Sequence, residues 1–178
     1  MAEISTTLFS DENLKLLVQK AIYSSRLRQH CNIHKSYSDP CQRLLNAVEV
    51  NSYIRPHRHS LDQKIETLIA IQGKFALLTF DIGGELQAAT YFGTEQYRQQ
   101  KNVYAGVEIA PDVWHTVISF TTGSILLEIK PGPFDLLSAK DLAVWAPPEG
   151  SMEAVNYLAE LRGKALEHFS KQEIYRRY

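Results

Sequence analysis

The chain has 178 residues, a length that suits one core plus trimmings rather than two independent domains. Its 19 Lys+Arg stand against 20 Asp+Glu, a formal charge of -1, so it has no global field for wrapping nucleic acid or docking on an anionic membrane, and neither partner is expected. With 44% hydrophobic and 22% charged residues, disorder over most of the chain is excluded.

The longest apolar runs, such as Phe75–Leu78 and Ile125–Leu127, fall far short of the roughly 20 residues of a membrane span. Met1–Ser5 carries no basic stretch leading into an apolar one. Cys31 and Cys41 are too few for a disulfide scaffold and have no Cys-x-x-Cys spacing. A cytoplasmic protein with reduced thiols is expected.

Residues 10–24 read as a helix, with Ser10 as cap, Asp11 and Glu12 in the first turn, and Leu14, Leu17, Val18, Ala21 and Ile22 on one face. The period then changes. From Arg26 to His34 the even positions (Arg26, Arg28, His30, Asn32, His34) are polar, which predicts an extended strand with one polar face. After a loop at 35–41, strands are expected at 44–54, 66–71, 74–80, 86–92, 103–109, 114–120 and 124–130, each rich in β-formers. Turn chemistry separates them at Gly73, Gly83-Gly84, Gly93-Thr94, Pro111-Asp112 and Thr122-Gly123. Short strands with no helix between them predict an antiparallel sandwich or barrel. Past Pro131-Gly132-Pro133 a helix returns at Ser151, with Val155, Leu158, Leu161 (or Ala159) and Ala165 on its apolar side. The plan is residues 1–35 as a helix and strand packing on a barrel, 36–135 as the barrel, and 136–178 as an extension with a helix.

The chemistry concentrates in two places. His57 and His59 in Pro56-His57-Arg58-His59 point to one side of an extended chain, a spacing at which two neutral imidazoles chelate one divalent ion. Glu66 opens an apolar strand, a costly place for a carboxylate without a partner. Further on, Pro111-Asp112-Val113-Trp114-His115 delivers a third imidazole at a strand start. Three imidazoles and one carboxylate form a mixed set that suits one divalent iron, nickel, zinc or manganese ion better than magnesium or calcium.

His57-x-His59 and Glu66, with six residues before Gly73, resemble the first motif of the cupin superfamily; Gly106 and Ala110–His115 resemble the second. The resemblance implies an all-β fold, a single cupin jelly-roll barrel with flanking N-terminal and C-terminal helices. Tyr53–His59, Glu128–Phe134 and Trp145–Gly150 are more narrowly similar to the WbuC-type cupin family, over about residues 10–150. That group is associated with bacterial surface-polysaccharide gene clusters. Two positions depart from the usual motifs: the long gap from His59 to Glu66 makes Asp62 a competing carboxylate, and Asp112 stands where cupins commonly have glycine.

Arg26, Arg28 and Arg55 are candidate anion-binding residues, with His34 and Tyr53 as further substrate-binding candidates. Glu128 and Lys130 share a strand face and are catalytic acid–base candidates. The expected function is a metal-dependent enzyme acting on a small polar substrate, a sugar or nucleotide-sugar, by isomerisation or epimerisation. The alternatives are an Fe(II)-dependent dioxygenase and a non-catalytic small-ligand-binding cupin with a structural metal. The partners are then a small-molecule ligand, anionic or a sugar, and a second copy in a homodimer, with residues 26–34 covering a sheet edge.

Overall fold

Ser10 starts helix α1 (Asp11–Tyr23) as the sequence predicts: its side chain accepts from Asn13 N at 3.3 Å, with Asp11 and Glu12 against the positive end of the helix dipole. The structure, a computed structural model, describes residues 7–61, 63–136 and 140–175. The strands follow as β1 (Arg28–Asn32), β2 (Cys41–Val48), β3 (His57–Arg58), β4 (Glu66–Gln72), β5 (Lys74–Phe80) and β6 (Leu86–Gly93). A short helix α2 (Glu95–Arg98) precedes β7 (Val103–Tyr104), β8 (Gly106–Ile109), β9 (Trp114–Ser119), β10 (Ser124–Pro131) and β11 (Asp141–Leu142). Helix α3 (Met152–Tyr175) closes the described chain.

The strands form two sheets, ordered β1-β2-β10-β4-β8 and β11-β3-β9-β5-β6-β7. Among the described residues, pairing is antiparallel except between β6 and β7. The inner faces meet over Val48, Leu68, Phe75, Phe92, Val117 and Leu126. On the outside, Leu17 and Ala21 of α1 cover Leu45, Ala47 and Ile125, and α3 covers Leu78, Tyr91 and Ile118 of the second sheet. This is a jelly-roll barrel with a helix on each outer face.

Local chemistry sets the corners. Gly73 turns β4 into β5 at φ +84°, and a Cβ there would meet Ser124 Oγ at 2.2 Å. The expected single strand at 103–109 divides at Ala105, β7 joining the second sheet and β8 the first. At that corner Gly106 passes so close to the Leu68 carbonyl that a Cβ would lie 2.4 Å from it. The strand expected at 44–54 begins earlier, at Cys41, and ends at Val48, where the chain turns through Ser52 N to Glu49 O at 3.0 Å. On α3, Ala154, Leu158, Leu161 and Ala165 are buried while Val155 is 70% exposed. The buried set recurs every three or four residues, so it makes one stripe, and Val155 lies a step of about 100° away.

Candidate metal centre and its cavity

β3 and β9 are neighbours with His57 directly opposite His115, and His59 follows His57 on the same side. β4 enters from the facing sheet with Glu66 at its first position. The ligand-type atoms of His57, His59, Glu66 and His115 all lie within 4.8 Å of one another. The four residues are only 2–5% exposed, so solvent does not satisfy them.

The orientation of two rings is set by backbone carbonyls. His57 Nδ1 donates to Arg55 O at 3.0 Å and His115 Nδ1 to Val113 O at 2.8 Å. A carbonyl only accepts, so both rings carry the proton on Nδ1 and keep the Nε2 lone pair for the cluster. His115 Nε2 is buried, has no hydrogen-bond partner among the described residues, and lies 3.4 Å from Glu66 Oε2. Buried lone pairs converging with a carboxylate fit a divalent transition metal of the mixed nitrogen–oxygen class. Burial, then the charges of Lys140 and His115, hold the His57 imidazole well below its ordinary range, the neutral form a ligand needs.

Both departures from the cupin motifs meet the structure here. Asp112 adopts φ +64°, the left-handed turn that glycine would supply and that Asp tolerates, and its Oδ2 accepts from Gln63 Nε2 at 2.9 Å. The turn therefore survives and His115 stays in register. Asp62 lies outside the described residues; Glu66 is the carboxylate found with the three histidines.

Beside the cluster lies a second carboxyl. Burial would raise Glu66, but the adjacent His115 and His59 rings, the Lys130 ammonium and Glu128 outweigh it and hold this carboxyl well below the ordinary range. Glu128 moves the other way, raised by burial and by the charge of Glu66. Lys130 Nζ sits 2.6 Å from Glu128 Oε1 and 3.5 Å from Glu66 Oε1. Burial opposes its charge, but the two carboxyls hold the ammonium above its ordinary value. The two carboxyls are thus pushed in opposite directions, Glu66 down and Glu128 up.

The cluster opens into a cavity of about 670 Å³. Its wall includes Glu128, Lys130 and the whole polar face read from residues 26–34: Arg26, Arg28, His30, Asn32 and His34. Arg28 is buried and already bound, through Nη1 to Tyr53 O at 2.9 Å and Nη2 to Glu149 Oε2 at 2.5 Å. Arg55 also lines the cavity, but its Nε and Nη2 both donate to Ala143 O, at 3.0 and 2.6 Å. The expectation for Tyr53 is corrected: its ring packs in the core beside Tyr157, its hydroxyl donates to Pro147 O at 3.0 Å, and it does not line the cavity. Trp114 is likewise spent on structure, under Arg58 at 4.5 Å and against Trp145.

Asn46 and Lys140 are among the cavity residues that the sequence did not mark as functional. Asn46 is 5% exposed and its Oδ1 has no hydrogen-bond partner among the described residues. Its signal was present, an amide inside the apolar run Leu44-Leu45-Asn46-Ala47-Val48. Lys140 reaches the cavity from the segment before β11, and nothing local in the sequence marks it.

Residues 9–92 match a family described as "Domain of unknown function (DUF6016)", a stretch that holds His57, His59 and Glu66 and stops before His115. No curated protein matches the sequence. Among solved structures, the chain resembles an uncharacterized conserved protein with a double-stranded beta-helix domain from Klebsiella pneumoniae, at 11% identity and TM-score 0.50, over 78% of this chain and 98% of that one. It also resembles the capsular polysaccharide assembling protein CapF from Staphylococcus aureus, at 14% identity and TM-score 0.50, over 67% of this chain but only 30% of that one. A cupin 2 domain-containing protein from Halorhodospira halophila matches at 14% identity and TM-score 0.43, over 75% of this chain and 77% of that one. Likeness at these identities is likeness of fold. The chain has the double-stranded β-helix fold of the cupins, a jelly-roll barrel with flanking helices that encloses a buried cluster of three histidines and a glutamate able to hold a metal ion.

Proposed function

We propose that this protein is a metal-dependent enzyme acting on a small polar substrate, a sugar or nucleotide-sugar of surface-polysaccharide synthesis, by isomerisation or epimerisation. The observation that carries the reading is Glu128: a carboxyl raised by burial, at the cavity wall, directly beside the metal-type cluster. The WbuC-type motifs, and a fold shared with the capsular polysaccharide assembling protein CapF, support the choice of substrate.

His57, His59, His115 and Glu66 would hold one divalent iron, nickel, zinc or manganese ion, which supplies Lewis acidity toward a substrate oxygen. Glu128 takes a proton from the substrate carbon next to a carbonyl and returns it from the same side to the adjacent carbon, which is isomerisation; epimerisation would need a second proton donor on the opposite face. No atom is gained or lost, as isomerisation requires. A carboxyl whose proton is held tightly by its surroundings is also the stronger base once it is free. Lys130 keeps the pair of carboxyls from repelling one another and fixes the orientation of Glu128. Two copies are proposed to pair along β1, the terminal strand of its sheet; light scattering giving only the monomer mass overturns that pairing.

The test begins with elemental analysis of protein purified without chelator, expected to give one transition metal per chain. His115→Ala should lower that occupancy at least about tenfold, since it removes one of the four donors. Incubation of the loaded protein with UDP-sugars and free hexoses in D2O should place deuterium on a substrate carbon, and Glu128→Gln should abolish the exchange while keeping the metal. Oxygen uptake with bound iron would replace this reading with a dioxygenase. Full metal occupancy in His115→Ala would remove the site.

A further inference from the structure

The cavity is positively charged in a chain that is not. Five cationic side chains line it, Arg26, Arg28, Arg55, Lys130 and Lys140, against the three carboxyls of Glu66, Glu128 and Glu149. The whole chain carries a formal charge of -1, so the excess is local. A divalent ion at the histidine cluster would add to it.

These cations are not equivalent. Glu149 neutralises Arg28, Glu128 and Glu66 hold Lys130, and the Arg55 guanidinium is committed to the Ala143 carbonyl. Arg26 and Lys140 have no ion-pair partner among the described residues, and both are exposed at the mouth. They come from opposite ends of the chain, one before β1 and one before β11, and converge on one place. That place is His30, on the polar face of β1. Its imidazole is lowered to about 4, first by burial in the cavity wall and then by the charges of Lys140, Arg26, Arg28 and Lys130, in that order, although its outer edge stays open at the mouth. With Arg28 and Lys130 already paired, the positive charge of Arg26 and Lys140 around His30 makes the mouth anion-attracting.

We propose that the mouth of the cavity, at Arg26, His30 and Lys140, holds the anionic group of the substrate, a carboxylate or a phosphate, while the rest of the molecule extends inward to the histidine cluster. This rests on the reading of the cavity as a substrate site and narrows it to an anionic sugar or sugar phosphate. Of the three arginines the sequence offers as anion contacts, it keeps Arg26 and leaves out Arg55, whose guanidinium the Ala143 carbonyl holds. Two long cationic side chains at the rim match a group that enters from solvent and must leave again. Charge-assisted hydrogen bonds from them supply the attraction, and the flanking cations steer the approach.

The experiment is calorimetric titration of the full chain, metal-free and zinc-loaded, with D-glucose, D-glucuronate and D-glucose 1-phosphate. The three share a ring and differ in charge, and the two acids separate carboxylate from phosphate. Metal-free wild-type protein should bind at least one of the acids at least tenfold more tightly than glucose. The Arg26→Met/Lys140→Met double variant should lose that selectivity and still take up zinc in full, and its His30 proton affinity, followed by NMR, should rise toward the ordinary value. Selectivity unchanged in the double variant, selectivity that appears only with zinc, or no binding of either acid by the wild-type protein overturns the proposal. If the wild-type protein takes up no zinc but its selectivity is lost in the double variant, the anion site stands and the metal reading falls.

Discussion

The two ends of the barrel interior are built by the same strands, one inward step apart. On β4 the packed residue is Leu68 and the site residue Glu66; on β9 they are Val117 and His115; on β10, Leu126 and Glu128. Alternation keeps each pair on the inner face, so moving two residues along a strand passes from a close-packed floor to an ionisable wall. The floor makes the wall rigid. Each reactive side chain is held by a neighbour that is itself packed, which keeps a cluster of buried donors in place before any ion arrives.

The comparison breaks first at the floor. Phe92 is fully buried and stacks on Phe75 at 5.2 Å, so Phe92→Ala should cost about 3–5 kcal/mol of unfolding free energy in urea. Metal uptake by the fraction still folded should be unchanged, and a selective loss of uptake without a loss of stability would reverse the roles of the two ends. At the wall, Lys130→Met leaves Glu66 and Glu128 facing one another in a buried site and should destabilise the metal-free protein by about 3 kcal/mol. The rim pair Arg58–Asp141, 2.9 Å apart with side chains 30% and 36% exposed, provides the contrast: Arg58→Met should cost less than about 1 kcal/mol. Equal losses in the two variants would show that burial does not distinguish them.

Asn46 sharpens the point with the opposite sign. Its Oδ1 is buried without a partner, so the near-isosteric Asn46→Leu should stabilise the metal-free protein by about 1 kcal/mol. A thermal melt that falls instead would make the amide a structural residue. The smallest effect is in pH. His30 is lowered to about 4 from an ordinary 6.5, so between those values the unfolded chain binds more protons than the folded one and stability rises with pH. As pH falls through that window the contribution is lost, and His57, held low by burial, adds in the same direction. Urea midpoints measured across the window should show a shallower slope in His30→Gln than in the wild-type protein; an unchanged slope would mean that burial and the cations do not lower His30.

Much of this was legible in the chain. The spacing of His57, His59, Glu66 and His115 marked the cluster because a metal-type shell needs a few residue types at strand intervals, and those intervals survive folding. The alternation from Arg26 to His34 marked a polar face, and that face became the cavity wall. Tyr53 lies outside the cavity, and Arg55 is tied down at its wall, for one reason. Their neighbours in sequence belong to the site, but their side chains meet partners nearly a hundred residues away, at Pro147 and Ala143.

The sequence by itself determined most of the strands, the Ser10 cap and the identity of the four clustered residues, since period, turn chemistry and residue type are local properties of the backbone and side chains. Only the tertiary structure decided which cations are neutralised and which are left over. Arg28 meets Glu149 across the barrel, Arg55 meets the Ala143 carbonyl, and Lys140 arrives beside Arg26 and His30 from the far side of the chain. Charge compensation depends on distance in space, with an interaction that falls as separation grows, and no local pattern records which distant groups the packed sheets bring together.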